Sequence, residues 1–152
     1  RELGLSRGRT LGIHPGASQI DRMMSAEQLI ELIRGARSVG WQPVLLGGSR
    51  EMALLGYVRA SMEDPPPILR APLPGFLALC AELGRMVTMD SGPAHIGAGV
   101  GCQLTVIIQE ARVRNTAPLA ENGRLTLVHY EGAVAKLPVA RILDAIGPCP
   151  LP

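Results

Sequence analysis

The sequence predicts an α/β fold with a doubly wound parallel sheet and helices on both faces. Short apolar segments alternate along the chain with longer segments of helical period. Strands of about four to six residues that alternate with helices are typical of βαβ units. Because the crossovers in such units are right-handed, we expect the strand order 3-2-1-4-5-6.

The first half of the chain supplies three predicted strands and two helices. Ser25 is a helix cap, with Gln28 as its capping-box partner, and Gly40 ends that helix. Between these signals the apolar residues recur with helical period. Gly47-Gly48 ends the second strand, and a triple proline ends the second helix. The predicted elements are strands at 10–13 and 43–46, a weak strand at 68–70, and helices from Ser25 to Gly40 and at 49–60.

Prolines mark the helix starts in the second half. Pro74, Pro93 and Pro138 each suit a first helical turn, where a missing N–H costs nothing. We expect an exposed loop with a short helical turn at 112–123. The remaining predicted elements are strands at 85–89, 104–108 and 125–129, and helices at 74–83, from Pro93 onward, and at 138–146.

Composition indicates one globular domain. The chain has 152 residues, 47% hydrophobic and 3% aromatic, and a formal charge of +2. Its basic residues are scattered, so no nucleic-acid partner is expected. We assign residues 10–147 to the domain, 1–9 to a linker remnant and 148–152 to a tail. No apolar run approaches the ~20 residues that would span a bilayer, so we expect no transmembrane segment.

The three cysteines show no paired spacing. Cys80, Cys102 and Cys149 are therefore expected to be free thiols of a reducing compartment. The sequence lacks the paired His/Cys spacing that would indicate a metal site, and we expect no cofactor. A cytoplasmic location follows, at most peripheral to the inner face of the membrane.

The segment Asp90-Ser91-Gly92-Pro93-Ala94-His95 is the most informative motif. It follows an apolar strand and leads into a helix. Ser91 or Gly92 would be the helix cap, which leaves free backbone N–H groups beside the positive end of the helix dipole. Such a loop favours an anion, most often a phosphate.

Three loops are expected to meet at one crevice. In the predicted order, strands one and four are neighbours at the switch point, where ligands bind in such sheets. Their C-terminal loops are His14–Ser18 and Asp90–His95, and the loop Gly47–Glu51 lies on the same rim.

These three motifs resemble those of glycosyltransferase family 9, which includes the lipopolysaccharide heptosyltransferases. The likeness runs over about residues 10–146 and covers the C-terminal, donor-binding half of a GT-B enzyme. It implies a site for a nucleoside-diphosphate sugar, typically ADP-heptose, and transfer to a hydroxyl of a sugar or lipid-linked saccharide acceptor. The family's catalytic base is on the N-terminal domain, so this chain alone is expected to bind nucleotide without transferring sugar.

The resemblance also implies residue roles. Amides around Ser91 and Gly92 would hold the diphosphate, and Glu51 would accept hydrogen bonds from the ribose hydroxyls. Asp90 would contact the donor sugar or cap its loop, and Arg22 would stabilise the leaving group in place of the family's lysine. Ala71 would lie at the adenine edge. The full predicted site is His14, Gly16, Ala17, Ser18, Arg22, Glu51, Ala71, Asp90, Ser91, Gly92 and His95.

Four of these residues also have a purely structural interpretation. Asp90 could serve as a loop cap and nothing more. His95 lies one turn into a helix expected to be buried, and it could bond a backbone carbonyl. His14 could be a turn residue, and Glu51 a first-turn residue favoured by the helix dipole. Met89 and Cys102 are expected in the core, and His129 at the surface.

Departures from the family's pattern support a second hypothesis. Arg22, Met24 and Ser25 stand where the family has a lysine and Trp-Pro. Gln103 replaces a proline, and Ile108-Gln109 replaces Phe-Gly. The alternative is a degenerate, non-catalytic binding or scaffold domain. A dinucleotide-binding domain is disfavoured because G-x-G-x-x-G is missing after strand one, and a serine hydrolase because Ser91 lacks a G-x-S-x-G elbow.

Overall fold

The computed structural model describes residue 6 and residues 8–150. Most of the linker predicted at 1–9, and the last two residues of the tail predicted at 148–152, lie outside the described residues. The strands are β1 (Thr10–His14), β2 (Gln42–Leu46), β3 (Ile68–Leu69), β4 (Arg85–Met89), β5 (Leu104–Gln109) and β6 (Leu125–Tyr130).

Helices alternate with these strands. They are α1 (Ala26–Ser38), α2 (Met52–Ala60), α3 (Leu73–Glu82), α4 (Gly92–Gly99), α5 (Val113–Thr116) and α6 (Val139–Ile146). Three short 3-10 turns lie at Ile20–Arg22, Glu110–Arg112 and Val134–Lys136. None of the helices in the described part of the chain is long and apolar enough to cross a membrane.

The six strands form one parallel sheet in the order β3-β2-β1-β4-β5-β6. This confirms the predicted doubly wound arrangement. At its centre β1 pairs with β4, with Leu11 opposite Arg85 and His14 opposite Thr88. The loops that follow these two strands therefore leave the sheet side by side at its carboxyl edge.

Some element boundaries differ from the predicted ones. Helix α2 begins at Met52 rather than Ser49, because residues 49–51 form the turn that precedes it. Pro93 occupies the second helical position of α4, since the helix starts one residue earlier at Gly92. The short helical turn expected within 112–123 is α5, and a 3-10 turn at Glu110–Arg112 precedes it.

Two apolar layers cover the two faces of the sheet. Helices α1, α2 and α6 pack on one face, and α3 and α4 pack on the other. Successive strand residues point to opposite faces, so Leu45 joins the first layer while Val44 and Leu46 join the second. Both faces are buried, which explains why the strands are nearly continuous apolar runs.

All three cysteines are buried free thiols, as expected. Cys80 and Cys102 belong to the layer of α3 and α4, and Cys149 belongs to the layer of α1 and α6. Burial raises the pKa of Cys80 to about 11 and that of Cys102 to about 12. Met89 and Cys102 lie in the core, which also agrees with the prediction.

Gln28 connects α1 to the chain before α6. It forms the predicted capping box. Its backbone N–H donates to Ser25 Oγ at 3.2 Å, and its side-chain Oε1 accepts from the backbone N–H of Ser25 at 3.1 Å. Its Nε2 donates to the carbonyls of Val134 at 2.9 Å and Leu137 at 3.0 Å. The side-chain amide of Gln28 thus bonds backbone groups at the start of α1 and in the segment before α6, which are more than 100 residues apart in sequence.

We expect Gln28→Ala to lower the free energy of unfolding by about 1.5–3 kcal/mol, because it removes half of the capping box, takes the side-chain donor from the buried Leu137 carbonyl and removes one of the two donors to the Val134 carbonyl. Urea unfolding measures the change. Glu31→Ala, at an exposed position of the same helix, is the control and should stay within about 0.5 kcal/mol. Equal unfolding midpoints for the two variants would contradict this role of Gln28.

Candidate functional site at the carboxyl edge of the sheet

A cavity of about 530 Å³ opens where the loops after β1, β2 and β4 meet. This volume lies in the range of small-molecule sites. Gly16 and Gly92 both line it, which confirms the predicted convergence of their loops. All the predicted site residues line it except Arg22 and Ala71, and the additional lining residues are Gly48, Arg50, Pro93, Arg112 and Thr116.

The start of α4 forms one wall of the cavity. Ser91 is the N-cap, with extended backbone angles of φ −158° and ψ 175°, and its side chain does not cap the helix. Its hydroxyl donates to the carbonyl of Met89 at 3.2 Å instead. No side chain of this helix start therefore occupies its first amides, and the positive end of the helix dipole faces the cavity.

Gly92 leaves open space in that wall. Its φ is not positive, and a Cβ built on it would have no atom within 4 Å. Neither backbone strain nor packing requires a glycine there. The missing side chain allows another group to approach the backbone closely.

Glu51 forms the opposite wall, at the N-cap of α2. It is only 8% exposed, and its Oε2 accepts a hydrogen bond from the Gly48 amide at 2.7 Å. A Cβ on Gly16 would collide with Oε1 of Glu51. The loops after β1 and β2 thus touch at a glycine and a carboxylate.

His14 lies between these two walls. It ends β1 instead of forming the predicted turn, and it is 7% exposed. Its Nδ1 is buried and has no hydrogen-bond partner among the described residues. Burial lowers the pKa of His14, and the nearby Glu51 carboxylate opposes that shift. A neutral imidazole with an unused ring nitrogen therefore borders the cavity.

Ala71 lines a neighbouring slot of about 200 Å³ instead of the main cavity. Its lining includes the apolar side chains of Leu73, Phe76 and Ile96, and it shares His14 with the main cavity. The His14 ring meets the Phe76 ring edge-on, with centroids 6.4 Å apart and an interplanar angle of 67°.

Asp90 is held by the loop after β5. Arg112 Nε donates to Asp90 Oδ2 at 2.8 Å, and the Thr116 hydroxyl lies 2.8 Å from the same oxygen. Sequence reasoning missed Arg112 and Thr116, because it treated 112–123 as an exposed loop. The available signal was topological: β5 neighbours β4, so the loops after both strands share one edge.

Arg22 does not line the main cavity, but its Nη2 donates to Oγ of Ser18, which does, at 2.6 Å. It borders a small adjoining space together with Asp90, Arg112 and Tyr130. Its Nε is buried and has no hydrogen-bond partner among the residues that the structure describes. Burial raises the pKa of Tyr130, and the charge of Arg22 opposes that shift. The predicted contact of Arg22 with a leaving group stays a prediction.

The other two histidines are accessible. His95 was predicted at the binding site, with a buried structural histidine as the alternative, and its side chain is exposed at the cavity wall. The buried residues of α4 are Ala94 and Gly97, and one residue beyond Ala94 turns ~100° around the helix. His129 is partly exposed and pairs with Glu110. Within the described residues, no group of three or more His, Cys, Asp or Glu side chains is placed to hold a metal.

Together these features define a doubly wound α/β domain with a ligand-sized cavity at its switch point. The sequence model of glycosyltransferase family 9 (heptosyltransferase) matches residues 4–138. The chain belongs to this family. A comparison with curated protein sequences finds no match.

Solved structures of family members share the fold. A glycosyltransferase of family 9 from Veillonella parvula DSM 2008 superimposes with a TM-score of 0.83 at 17% identity, over 94% of this chain and 46% of its own. The E. coli ADP-heptose LPS heptosyltransferase II gives 0.82 at 21%, over 95% and 47%. The E. coli heptosyltransferase WaaC with ADP gives 0.81 at 16%, over 95% and 45%. The chain therefore spans slightly under half the length of each.

The buried His14 makes stability depend on pH. Because its pKa is lowered in the folded state, protonation favours unfolding, so stability is retained above the unfolded pKa of ~6.5 and lost as the pH falls through it. We expect His14→Gln to lose less stability than the wild type between pH 7.5 and pH 5 in urea unfolding. His95→Gln, at the exposed histidine, should keep the wild-type pH dependence. Parallel profiles for wild type and His14→Gln would refute the effect.

Proposed function

We propose that this chain is the donor-binding domain of a glycosyltransferase and binds a nucleoside-diphosphate sugar, with an ADP-sugar such as ADP-heptose favoured. One observation carries the proposal. The uncapped start of α4, with open space at Gly92, faces the buried carboxylate of Glu51 across a single cavity. Helix-start amides suit phosphates, and a carboxylate suits the vicinal hydroxyls of a ribose.

The layout of the cavity supports an extended ligand. The diphosphate would lie against Ser91 and Gly92, and the ribose against Glu51. The nucleobase would enter the apolar slot beside Ala71 and Phe76. This slot adjoins the main cavity at Gly48, His14 and Pro93. A polar cavity beside an apolar slot suits a nucleotide, whose diphosphate and ribose are polar and whose nucleobase is largely apolar.

The solved relatives point to the same ligand class. Two structures of the E. coli heptosyltransferase WaaC carry ADP and ADP-2-deoxy-2-fluoro heptose. By analogy, the acceptor would be a sugar or lipid-linked saccharide of lipopolysaccharide synthesis. Buried free thiols fit a cytoplasmic location.

We further propose that transfer needs a base from outside this chain. Of the two carboxylates that line the main cavity, Asp90 is paired with Arg112 and Thr116, and Glu51 would be occupied by the ribose hydroxyls in the proposed layout. A general base must be within reach of the proton that it removes and available to accept it. We therefore expect nucleotide binding by these residues, without sugar transfer.

A thermal-shift scan with ADP, UDP and GDP tests the binding function. We expect ADP to stabilise the chain by RT ln(1 + [L]/Kd), about 2.7 kcal/mol at a hundredfold excess over Kd. Gly92→Ala is the blocking variant, because its Cβ enters the open space with no protein atom within 4 Å. It should stay folded and show a smaller ADP shift than the wild type. The absence of a shift with every nucleotide would favour the degenerate scaffold domain.

The ribose contact is tested separately at Glu51. We expect Glu51→Ala to weaken ADP binding by about 1.5–3 kcal/mol, roughly 10- to 150-fold, on the scale of hydrogen bonds to a charged group. Calorimetry with ADP and its 2′-deoxy and 3′-deoxy forms completes a double-mutant cycle, and Glu51→Gln is the size-matched variant. If Glu51 only supports the loop, its replacement should weaken ADP and both deoxy forms equally, and the ribose assignment would be wrong.

A further inference from the structure

We propose that Arg112 binds the terminal phosphate of the donor's diphosphate, and that Asp90 and Thr116 position it for this contact. The inference rests on the proposed nucleotide site and deepens it. It starts from a cation that lines the same cavity as the start of α4 and that no sequence motif indicated.

The guanidinium of Arg112 is oriented by a buried partner. Its Nε–H donates to Asp90 Oδ2 at 2.8 Å, and the Asp90 side chain is only 7% exposed. Of the five N–H groups of an arginine, this bond uses one. Because the guanidinium is planar, fixing Nε also fixes the plane of the remaining four.

Those four N–H groups have no protein acceptor among the described residues. The Arg112 side chain is 37% exposed and borders the main cavity together with Ser91 and Gly92. A planar fork of donors suits phosphate oxygens, which it binds bidentately. The cation thus faces the space in which helix-start amides already favour an anion.

Thr116 fixes the carboxylate from a second direction. Its hydroxyl lies 2.8 Å from Asp90 Oδ2 and 3.0 Å from the carbonyl of Arg112. It stands one helical turn after Arg112, on α5. The N-cap residue and the last residue of α5 therefore both bond the same carboxylate oxygen.

The pairing also resolves a charge conflict. An isolated Asp90 carboxylate beside a diphosphate would repel it. Arg112 offsets that charge and still has donors free for the ligand. Loss of Arg112 should therefore weaken anion binding for two reasons: the contact with the phosphate is missing, and the charge of the Asp90 carboxylate is no longer compensated.

Arg50 also lines the cavity but is a weaker candidate. It lies in the exposed turn before Glu51, at the end of the cavity proposed for the ribose. Arg112 adjoins the wall formed by Ser91 and Gly92 through its bond to Asp90. Position therefore favours Arg112 for the terminal phosphate.

Calorimetry with ADP, AMP and adenosine tests the proposal on Arg112→Met. We expect ADP affinity to fall at least tenfold and adenosine affinity to stay within twofold. The preference for ADP over AMP should shrink, and the dependence of ADP affinity on salt should become shallower. Arg114→Met, at an exposed arginine two residues along the chain on α5, should bind all three ligands as the wild type does.

Three further variants separate contact from positioning. Arg112→Lys keeps the charge but cannot bond Asp90 and a phosphate with one rigid fork, so it should fall between wild type and Arg112→Met. Thr116→Val should weaken ADP binding less than Arg112→Met. Adding Asp90→Asn to Arg112→Met should recover part of the lost ADP affinity, which a merely structural role for Arg112 would not produce.

The outcomes distinguish this proposal from the one beneath it. If Arg112→Met binds ADP as tightly as Arg114→Met, the phosphate role of Arg112 is wrong while the nucleotide site stands. If Arg112→Met loses ADP and adenosine affinity equally, Arg112 acts on the fold of the site, and the proposal is likewise overturned. If the wild type binds neither ADP nor adenosine, both proposals fail.

Discussion

The pairing of β1 with β4 is the constraint on which the site depends. Four residue pairs, from Leu11 with Arg85 to His14 with Thr88, join the two halves of the sheet where the direction of winding reverses. Crossovers leave this junction uncovered at its carboxyl edge, so two loops far apart in sequence open into one space. A Cβ on Gly12 would come within 2.6 Å of Leu83 and 2.8 Å of Leu46. The junction is thus packed tightly on the side of α3.

Small residues and paired charges shape the space above this junction. Gly16 gives room to Glu51, Gly48 supplies that carboxylate with an amide, and Gly92 leaves the start of α4 uncovered. The second carboxylate, Asp90, is paired with Arg112. Buried charges are tolerated only when they are paired or hydrogen-bonded, and both carboxylates meet that condition.

The sequence was sufficient for the fold because its local signals agreed with the topological rules. Ser25 and Gln28 form the expected capping box, and the order of strands follows from right-handed crossovers. The site was predictable where a motif marks the end of a strand, as at Asp90–His95. It was not predictable where side chains meet across loops. The bond between Asp90 and Arg112 spans 22 residues of chain, and its partner lies in a segment without apolar period. The sequence left open whether His95 is buried or lines the site, because α4 is short and a rotation by one residue decides which side chain is buried.

Each of the two apolar layers contains at least one cysteine, so the reactivity of its thiol reports whether that layer is closed. Cys80 and Cys102 lie beneath α3 and α4, while Cys149 packs with α1 and α6. Thiolates react and thiols do not, so Cys80 and Cys102, whose pKa is raised by burial, are protected until their layer opens, and Cys149 is shielded by its own burial. Pulsed alkylation followed by peptide mass analysis would therefore show which side of the sheet separates first, without any label added to the chain.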